Sequence, residues 1–467
     1  MDALFLADRS TMATDLVIQM VENFEIDLNQ LHNDSTSVTV TGEYDTPASF
    51  AGKKSIAPKH GHSKDHRPDL KQLLFCLTVS RDGAVPVHFK AYDGNVTDDT
   101  THINTWESLR RIVGHSRFVY VADSKLCTRT QMKHIDDEGG KFITIMPKTR
   151  SEHRDFHRQL QGRQATFEWT ELLRRTKKQC GDHTDADSIY WGYDSPAPSA
   201  EGYRIIWILS SQKQYIDERS RAAKITKTID DLGTLRDKTG KRALKTKEQI
   251  EKAVVAVLEK NGSARWFDWQ LVPIESETFK QASKGRPGKE TQYVRHLETT
   301  WTFNAAPAEA KIQEDAQCDG IFPLITNYSV VDMPMRQILE KYKYQPFIEK
   351  RHQQMKSGFD VAPVFFKRPH RIDALMFIYF IVMVVNALVE RELRSAMKSQ
   401  HISSLEIYHE NRRCEKPTTD RVLETFSDRW RHRLQANDAV VQTFVGKLSP
   451  LQRIILQLLG MTEAAYS

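Results

Sequence analysis

Three acidic residues in the 467-residue sequence occupy positions from which carboxylates can act on phosphate esters. Asp34 lies within a segment typical of a β-strand, and Asp123 directly follows the apolar segment 118–122, FVYVA. A carboxylate at the end of a buried strand is costly to shield from water, so it usually has a cation or another partner. Glu349 lies in the segment 337–356, which we expect to be a helix.

The expected helix at 337–356 carries Tyr342, Glu349 and Lys356 at intervals of seven residues. Seven residues return almost to the same side of a helix, so these side chains and Gln345 would form one stripe. Two aspartates and a glutamate supply the oxygen ligands that Mg²⁺ or Mn²⁺ prefers, and two such ions can clamp a phosphodiester during in-line displacement. The chain contains 61 acidic residues, so spacing alone does not establish this site.

The elements expected around these acids alternate within the first 150 residues as strand, strand, strand, helix, strand, helix, strand. Hydrophobic alternation and turn residues predict the strands 31–42, 69–80, 85–92, 118–122 and 141–146, with helices near 97–113 and 128–138. The stretch 150–330 departs from this order, with a strand at 203–210 and a helix at 248–259. From residue 334 onward we expect helices at 337–356, 371–397, 419–435 and 450–459.

Composition narrows the class of protein. The net charge of +6 and the pI near 8.8 permit a nucleic-acid partner, and the five dispersed cysteines form no CxxC pair. The run 374–385, ALMFIYFIVMVV, is too short for a membrane span of about 20 residues. We interpret it as the core helix of a soluble domain, with membrane association as the alternative.

These residues resemble those of DDE-type insertion-sequence transposases, in the group with a Tyr-x2-Arg-x3-Glu-x6-Lys signature. Tyr342, Glu349 and Lys356 match at the expected spacing, and Gln345 stands where that group has arginine. Further stretches are similar to the same group: HNDSTS around Asp34, GHSKDHRPDLKQ at 61–72, Gly94-Asn95, VADS at 121–124 and DGIFPLITN at 319–327.

The resemblance implies an α/β fold: a ribonuclease-H-like mixed five-stranded sheet with helices on both sides, a large inserted domain containing β-strands, and a helical C-terminal part. It also implies a DNA transposase with catalytic, metal-binding Asp34, Asp123 and Glu349 and with two Mg²⁺ or Mn²⁺ ions. Such an enzyme cleaves element ends and transfers the 3′-hydroxyl into target DNA. Its partners would be double-stranded DNA, as terminal inverted repeats and target, and a second copy in a homodimer on DNA.

The corresponding division of the chain has five parts. We expect an N-terminal helical remnant at 1–30, the catalytic domain at 31–150 and 331–400, an inserted domain at 151–330, and a helical region at 401–467. Relatives have more sequence ahead of the first strand, so the alternative function is a truncated, catalytically silent DNA-binding remnant. The expected location is the cytoplasm of a prokaryote, at the nucleoid, without a membrane.

Basic residues outside the acidic trio extend the expected DNA contacts. We assign Tyr342, Gln345 and Lys356 to DNA, together with Lys64 and Arg67 of the loop 60–71. The histidines of this loop lack the paired Cys or His set of a zinc site. Arg286, within Gly285-Arg286-Pro287-Gly288, resembles a minor-groove hook, in which a slim backbone lets arginine enter the groove.

Overall fold

The computed structural model describes residues 1–466, apart from 45–47, 98–99, 163–166, 177–186, 241–243, 283, 289–290, 359–363, 365, 409, 411 and 437–438. The chain divides into two units. The first contains residues 1–146, 197–204 and 325–467, and the second contains 147–196 and 205–324. The five-part division drawn from the sequence remains a prediction.

The described strands are β1 (Gln30–Val40), β2 (Ser49–Phe50), β3 (Lys53–Lys54), β4 (Lys71–Ser80), β5 (Pro86–Asp93), β6 (Val119–Ala122), β7 (Lys141–Ile145), β8 (Thr170–Arg175), β9 (Ser188–Asp194), β10 (Arg204–Ser210), β11 (Phe267–Gln281), β12 (Tyr293–Pro307), β13 (Ile321–Thr326), β14 (Arg431–Ala436) and β15 (Ala439–Val445).

The described α-helices are α1 (Asp2–Leu6), α2 (Arg9–Phe24), α3 (His102–Val113), α4 (Arg129–Asp137), α5 (Ser151–Gln161), α6 (Ser211–Arg236), α7 (Lys247–Lys260), α8 (Glu309–Ala316), α9 (Met335–Tyr342), α10 (Pro346–Gln353), α11 (Pro369–Ser399), α12 (Thr419–Glu424) and α13 (Pro450–Leu458). A short 3₁₀ helix follows β6 at Ser124–Leu126, and a π-helical turn follows α10 at Gln354–Gly358.

The sheet of the first unit has the strand order β5-β4-β1-β6-β7. β1 is antiparallel to β4 and parallel to β6, which is parallel to β7. Nine of the eleven residues of β1 are buried, as expected for the central strand of a sheet covered by helices. This mixed sheet confirms the ribonuclease-H-like α/β fold, and each of its strands begins and ends within two residues of the predicted segment.

The long helix α11 packs its aromatic residues on this sheet. Phe380 stacks on Phe89 of β5 with ring centroids 4.5 Å apart, and Phe377 lies 6.1 Å from the same ring. Among the described residues α11 is the one helix with the length and apolar composition of a membrane span, and half of its most apolar stretch is buried inside the protein.

The segment 337–356 forms two helices and a π-helical turn where the sequence predicts one helix. α9 ends at Tyr342, and Pro346 is the first residue of α10. Proline has no backbone N–H and disfavours helical geometry in the residue before it, so the helix breaks ahead of Pro346. The prediction of one helical stripe through Tyr342, Glu349 and Lys356 is therefore wrong.

The C-terminal part is helical with one hairpin. The sequence predicts a helix over 419–435, whereas α12 ends at Glu424 and β14 pairs antiparallel with β15. The helical pattern at 419–424 does not reveal the strand beyond it, because that strand depends on a partner later in the chain.

The second unit contains two antiparallel arrays. β9 pairs with both β8 and β10, and β11 pairs with β12 over fifteen residues on each strand. The base of the β11–β12 hairpin buries Phe267 and Phe303 with Leu232 of α6 and Val254 of α7. The sequence analysis identified α7 and β10 but missed both α6 and this hairpin.

A buried ion pair fastens α10 to α11. The Arg351 guanidinium lies 3.0 Å from the Glu390 carboxylate, and both side chains are almost fully buried. Arg351 also donates to the carbonyls of Gly83 and Ala84, each at 3.1 Å, in the turn between β4 and β5. The buried Arg351 is therefore a structural residue without access to DNA.

Replacing Glu390 by alanine should strongly destabilise the first unit, because the charge of Arg351 stays buried without its partner. We expect the free energy of unfolding to fall by about 3–5 kcal/mol, measured by urea denaturation. The matched control is Glu340→Ala, which removes the exposed pair with Arg336 and should cost about 1 kcal/mol or less. Equal effects of the two changes would contradict a structural role for the buried pair.

Candidate active site

Asp34 and Asp123 lie just beyond the paired parts of two neighbouring parallel strands. His32 of β1 and Val121 of β6 are the last residues paired between these strands, and each aspartate follows its strand's last paired residue by two positions. Neighbouring strands lie about 4.8 Å apart. Two aspartates far apart in the sequence are thereby brought close together.

Two hydrogen bonds involve Asp123, one through its backbone carbonyl and one through its carboxylate. Thr144 Oγ1 of β7 donates a hydrogen bond to the Asp123 carbonyl at 2.6 Å. The Asp123 carboxylate accepts the Lys125 backbone N–H at 3.0 Å and so caps the 3₁₀ helix that follows. The side chain is half-buried, so it is partly open to solvent.

A lysine and a histidine neighbour the Asp34 carboxylate. Lys64 Nζ lies 3.7 Å from Asp34 Oδ1, and His352 Nδ1 lies 3.5 Å from Oδ2. Burial raises the pKa of Asp34, but the hydrogen bond and charge of His352, together with Lys64, outweigh it and hold this pKa below its ordinary value. Asp34 is thus a carboxylate that the fold keeps ionised.

The pKa values of Glu349 and Tyr342 are both raised, and the negative charge of Asp34 contributes to each. Partial burial raises the pKa of Glu349, and the charge of Asp34 raises it further. The pKa of Tyr342 is raised by burial and then by Asp123, Glu349 and Asp34 in that order. Tyr342 is therefore close enough to sense all three carboxylates, although it lies on α9 and Glu349 on α10.

His352 is a site residue that the sequence analysis missed. It follows Glu349 by three residues on α10, so both side chains lie on neighbouring positions of one helical face. Its ring is buried, and Nε2 has no hydrogen-bond partner among the described residues. The spacing Glu-x-x-His was the available signal in the sequence.

The basic residues expected to bind DNA occupy three different settings. Lys356 Nζ bonds Asp65 at 2.6 Å, while Lys64 lies beside Asp34, so both lie in the first unit near the acids. Arg67 forms an exposed two-bond pair with Asp69. Arg286 is exposed in the second unit, between β11 and β12.

Gln345 is part of a buried polar chain that ties α10 to β1. Gln30 Nε2 donates to the Lys341 carbonyl at 3.1 Å and also contacts His32 Nε2 at 2.7 Å. His32 Nε2 is then an acceptor, and Nδ1–H donates to Gln345 Oε1 at 2.9 Å. Burial lowers the pKa of His32 to about 4, consistent with this neutral ring.

The other end of the Gln345 amide completes the chain. Its Nε2 donates to the Asn33 carbonyl at 3.0 Å, one residue before Asp34. Because both polar atoms of this buried amide are bonded within the protein, Gln345 does not offer the DNA contact predicted from the sequence. It instead connects the start of the Glu349 helix with the strand that carries Asp34.

The donor chemistry of Asp34, Asp123 and Glu349 fits a hard divalent cation, because all three are carboxylates and one pKa is raised by another. Within the described part of the chain, no group of three or more His, Cys, Asp or Glu side chains lies close enough to hold a metal ion. That result covers the described histidines of the loop 60–71 as well.

Comparison with known protein families assigns this chain to a family. The chain belongs to the transposase family defined by a "Transposase DDE domain", whose family model matches residues 30–385, about three quarters of the sequence. No curated protein matches the chain.

Solved structures of two transposases are similar to parts of the chain. A Mos1 transposase paired-end complex with the left transposon end has 10% identity, covers 29% of this chain and 40% of its own, and gives a TM-score of 0.17. A piggyBac transposase synaptic complex with hairpin DNA has 11% identity, covers 44% and 40%, and gives 0.23. The chain thus spans about two fifths of the length of these transposases.

Replacing Gln345 by leucine should weaken the fold around the acids. The Asn33 carbonyl and the His32 N–H lose their partners inside the protein, so the free energy of unfolding should fall by about 2–4 kcal/mol. Urea denaturation measures the change, with Gln353→Leu on the exposed side of α10 as control. The control should stay within about 0.5 kcal/mol. A Gln345 variant as stable as the control would contradict the structural role.

Asp34→Asn and Glu349→Gln should shift stability in opposite directions at pH 7 with a chelator present. Asp34 has a lowered folded pKa, so its charge stabilises above the unfolded value of about 3.9, and the asparagine variant is less stable. Glu349 has a raised folded pKa, so ionisation costs stability and the glutamine variant is more stable.

The pH dependence of the two effects distinguishes them. The advantage of Glu349→Gln should shrink as the pH falls from 7 toward about 4.5, because wild-type Glu349 becomes protonated. The deficit of Asp34→Asn should persist through this window and disappear only below about pH 3.9. Thermal unfolding midpoints at several pH values test both, and shifts of the same sign would refute the charge arrangement.

Proposed function

We propose that this chain is a metal-dependent DNA transposase that cleaves DNA at the ends of an insertion element and transfers the resulting 3′-hydroxyl into target DNA. The observation that carries the proposal is that Asp34 and Asp123 each follow, by two residues, the paired residues His32 and Val121 of parallel strands, while Tyr342 responds to the charges of both aspartates and of Glu349. Membership of the transposase DDE family supports it. We further place the chain in the group with the Tyr-Arg-Glu-Lys signature, with glutamine at the arginine position.

In this proposal Asp34, Asp123 and Glu349 hold two Mg²⁺ or Mn²⁺ ions. When bound, such ions lower the pKa of a water or hydroxyl nucleophile and stabilise charge on the phosphate oxygens during displacement. The contribution of the chain is two interior strands of the sheet for two carboxylates and a helix for the third. Lys64, which lies 3.7 Å from Asp34 and donates to Ser35 Oγ, adds positive charge beside the carboxylates for a DNA phosphate.

Tyr342 and Lys356 position the DNA strand beside the carboxylates. The raised pKa of Tyr342 keeps its phenol protonated at neutral pH, so it can donate a hydrogen bond to a phosphate oxygen. Lys356 neutralises Asp65 in the free protein and can exchange this partner for a phosphate. Arg67, exposed in the same unit, adds a further contact to the backbone.

The expected partners are the terminal inverted repeats of the element, target DNA, and a second copy of the chain in a dimer on DNA. A cytoplasmic, nucleoid-associated location in a prokaryote is part of the same proposal. The pI near 8.8 is compatible with a DNA partner.

Asp123→Asn should abolish DNA cleavage while leaving DNA binding nearly intact. Removing one negative ligand weakens the hold on the metal and should lower the nicking rate by at least about 100-fold, on the scale of losing one preorganised electrostatic group. Nicking of supercoiled plasmid with Mg²⁺ or Mn²⁺ measures the rate, and fluorescence anisotropy measures binding. The control Glu340→Gln, on the neighbouring α9, should nick at the wild-type rate.

Two outcomes would count against the proposal. Nicking by Asp123→Asn at the wild-type rate would show that Asp123 is not a ligand. A wild-type chain that binds DNA in a salt-sensitive way but never cuts it with either ion would be the catalytically silent DNA-binding remnant.

A further inference from the structure

The β11–β12 hairpin of the second unit is buried at its base and exposed farther out. Near its base, Phe267 and Phe303 are buried against helices. Farther out, Phe279, Tyr293 and Leu297 are 63%, 53% and 64% exposed. These three outer residues share one side of the ribbon, because Leu297 lies opposite Glu277, two residues before Phe279, and Tyr293 lies opposite Gln281, two residues after it. The outer half of the hairpin therefore presents three exposed apolar side chains on one side, interspersed with Glu277, Gln281 and Arg295.

The tip beyond this face contains two glycines that the fold itself does not require. Among the described residues, a Cβ atom added at Gly285 or Gly288 would meet no atom within 4 Å, and neither glycine has a left-handed backbone conformation. Glycine at these positions leaves the backbone open to close approach by an external molecule. Arg286 stands between them, followed by Pro287, and is exposed.

The charge of the outer hairpin is strongly basic. Residues 277–297 contain five Lys or Arg residues and two Glu residues, which gives +3 in 21 residues against +6 for the whole chain. The described cations Lys280, Lys284 and Arg286 are exposed, while Arg295 pairs with Glu277. Two copies of this surface would repel each other, whereas the phosphates of DNA would attract it.

We propose that the outer half of the β11–β12 hairpin is a second DNA-binding surface, which inserts Arg286 into the minor groove of A·T-rich duplex DNA. Arginine is favoured in a narrow minor groove by its enhanced negative potential, and a slim glycine backbone permits the entry. Phe279, Tyr293 and Leu297 then cover apolar sugar edges along the groove. This inference rests on the proposed function for DNA as the partner, but it uses none of the three carboxylates.

The test uses the full-length protein with a chelator, so that DNA is bound but not cut. The probe is a fluorescent A·T-rich duplex of 30 base pairs that contains no element end, and anisotropy gives its affinity. Arg286→Ala should weaken binding by about tenfold or more, and the slope of log affinity against log salt should fall by about one. Lys252→Ala, an exposed lysine of α7, is the matched control and should bind within about twofold of wild type.

Two further variants separate DNA contact from folding. Gly285→Val should keep the wild-type melting temperature, because its Cβ points into open space, yet it should bind the A·T-rich duplex several-fold more weakly. Leu297→Ser should also lower the affinity. Netropsin, which occupies A·T minor grooves, should compete with the wild-type protein and have little effect on the remaining binding of Arg286→Ala.

Unchanged affinity of Arg286→Ala and Leu297→Ser would overturn the proposal. So would a Leu297→Ser variant that loses self-association in sedimentation while binding DNA normally, because the face would then join two copies of the chain. The two proposals fail separately. If the protein nicks DNA but the hairpin variants bind DNA as wild type does, only the hairpin proposal is contradicted. If DNA binding depends on the hairpin but the protein never nicks DNA, only the proposed transposase activity is contradicted.

Discussion

The parallel pairing of β1 with β6 is the constraint on which the candidate active site depends. It places Asp34 and Asp123 each two residues beyond the last residues paired between these strands, where two negative charges repel each other. The free protein offsets this repulsion at Asp34 with Lys64 and with the ring of His352. The lowered pKa of Asp34 shows that these neighbours prevail over burial, so Asp34 is ionised at neutral pH.

Glu349 lies on α10, so no strand register positions it. Side-chain contacts position this helix instead. The chain Gln30–His32–Gln345 and the pair Arg351–Glu390 fix α10 from its two ends. The hydrogen-bonded chain connects α10 to β1, the strand of Asp34, and the ion pair connects α10 to α11. Both consist of buried polar groups whose partners are specific, so a change on either side leaves an unsatisfied group behind.

The fold of the first unit could be predicted because its strands contain β-branched or apolar runs and the first hairpin has a strong turn signal at Arg81-Asp82-Gly83. Features that depend on residues far away in the sequence could not be predicted. The role of Gln345 depends on His32, far away in the sequence, and the strand β14 depends on β15. The β11–β12 hairpin was missed although it is long; Pro273 within β11 argues against a central strand, but a two-stranded ribbon has only edges.

Manganese binding tests the central claim most directly. Crystals of the protein with Mn²⁺ and a duplex carrying the element end would reveal the ions by their anomalous scattering. The account predicts that the ions lie among the carboxylates of Asp34, Asp123 and Glu349, and that Asp123→Asn loses at least one of them. Manganese bound to other side chains in a complex that still cleaves its DNA would contradict the account.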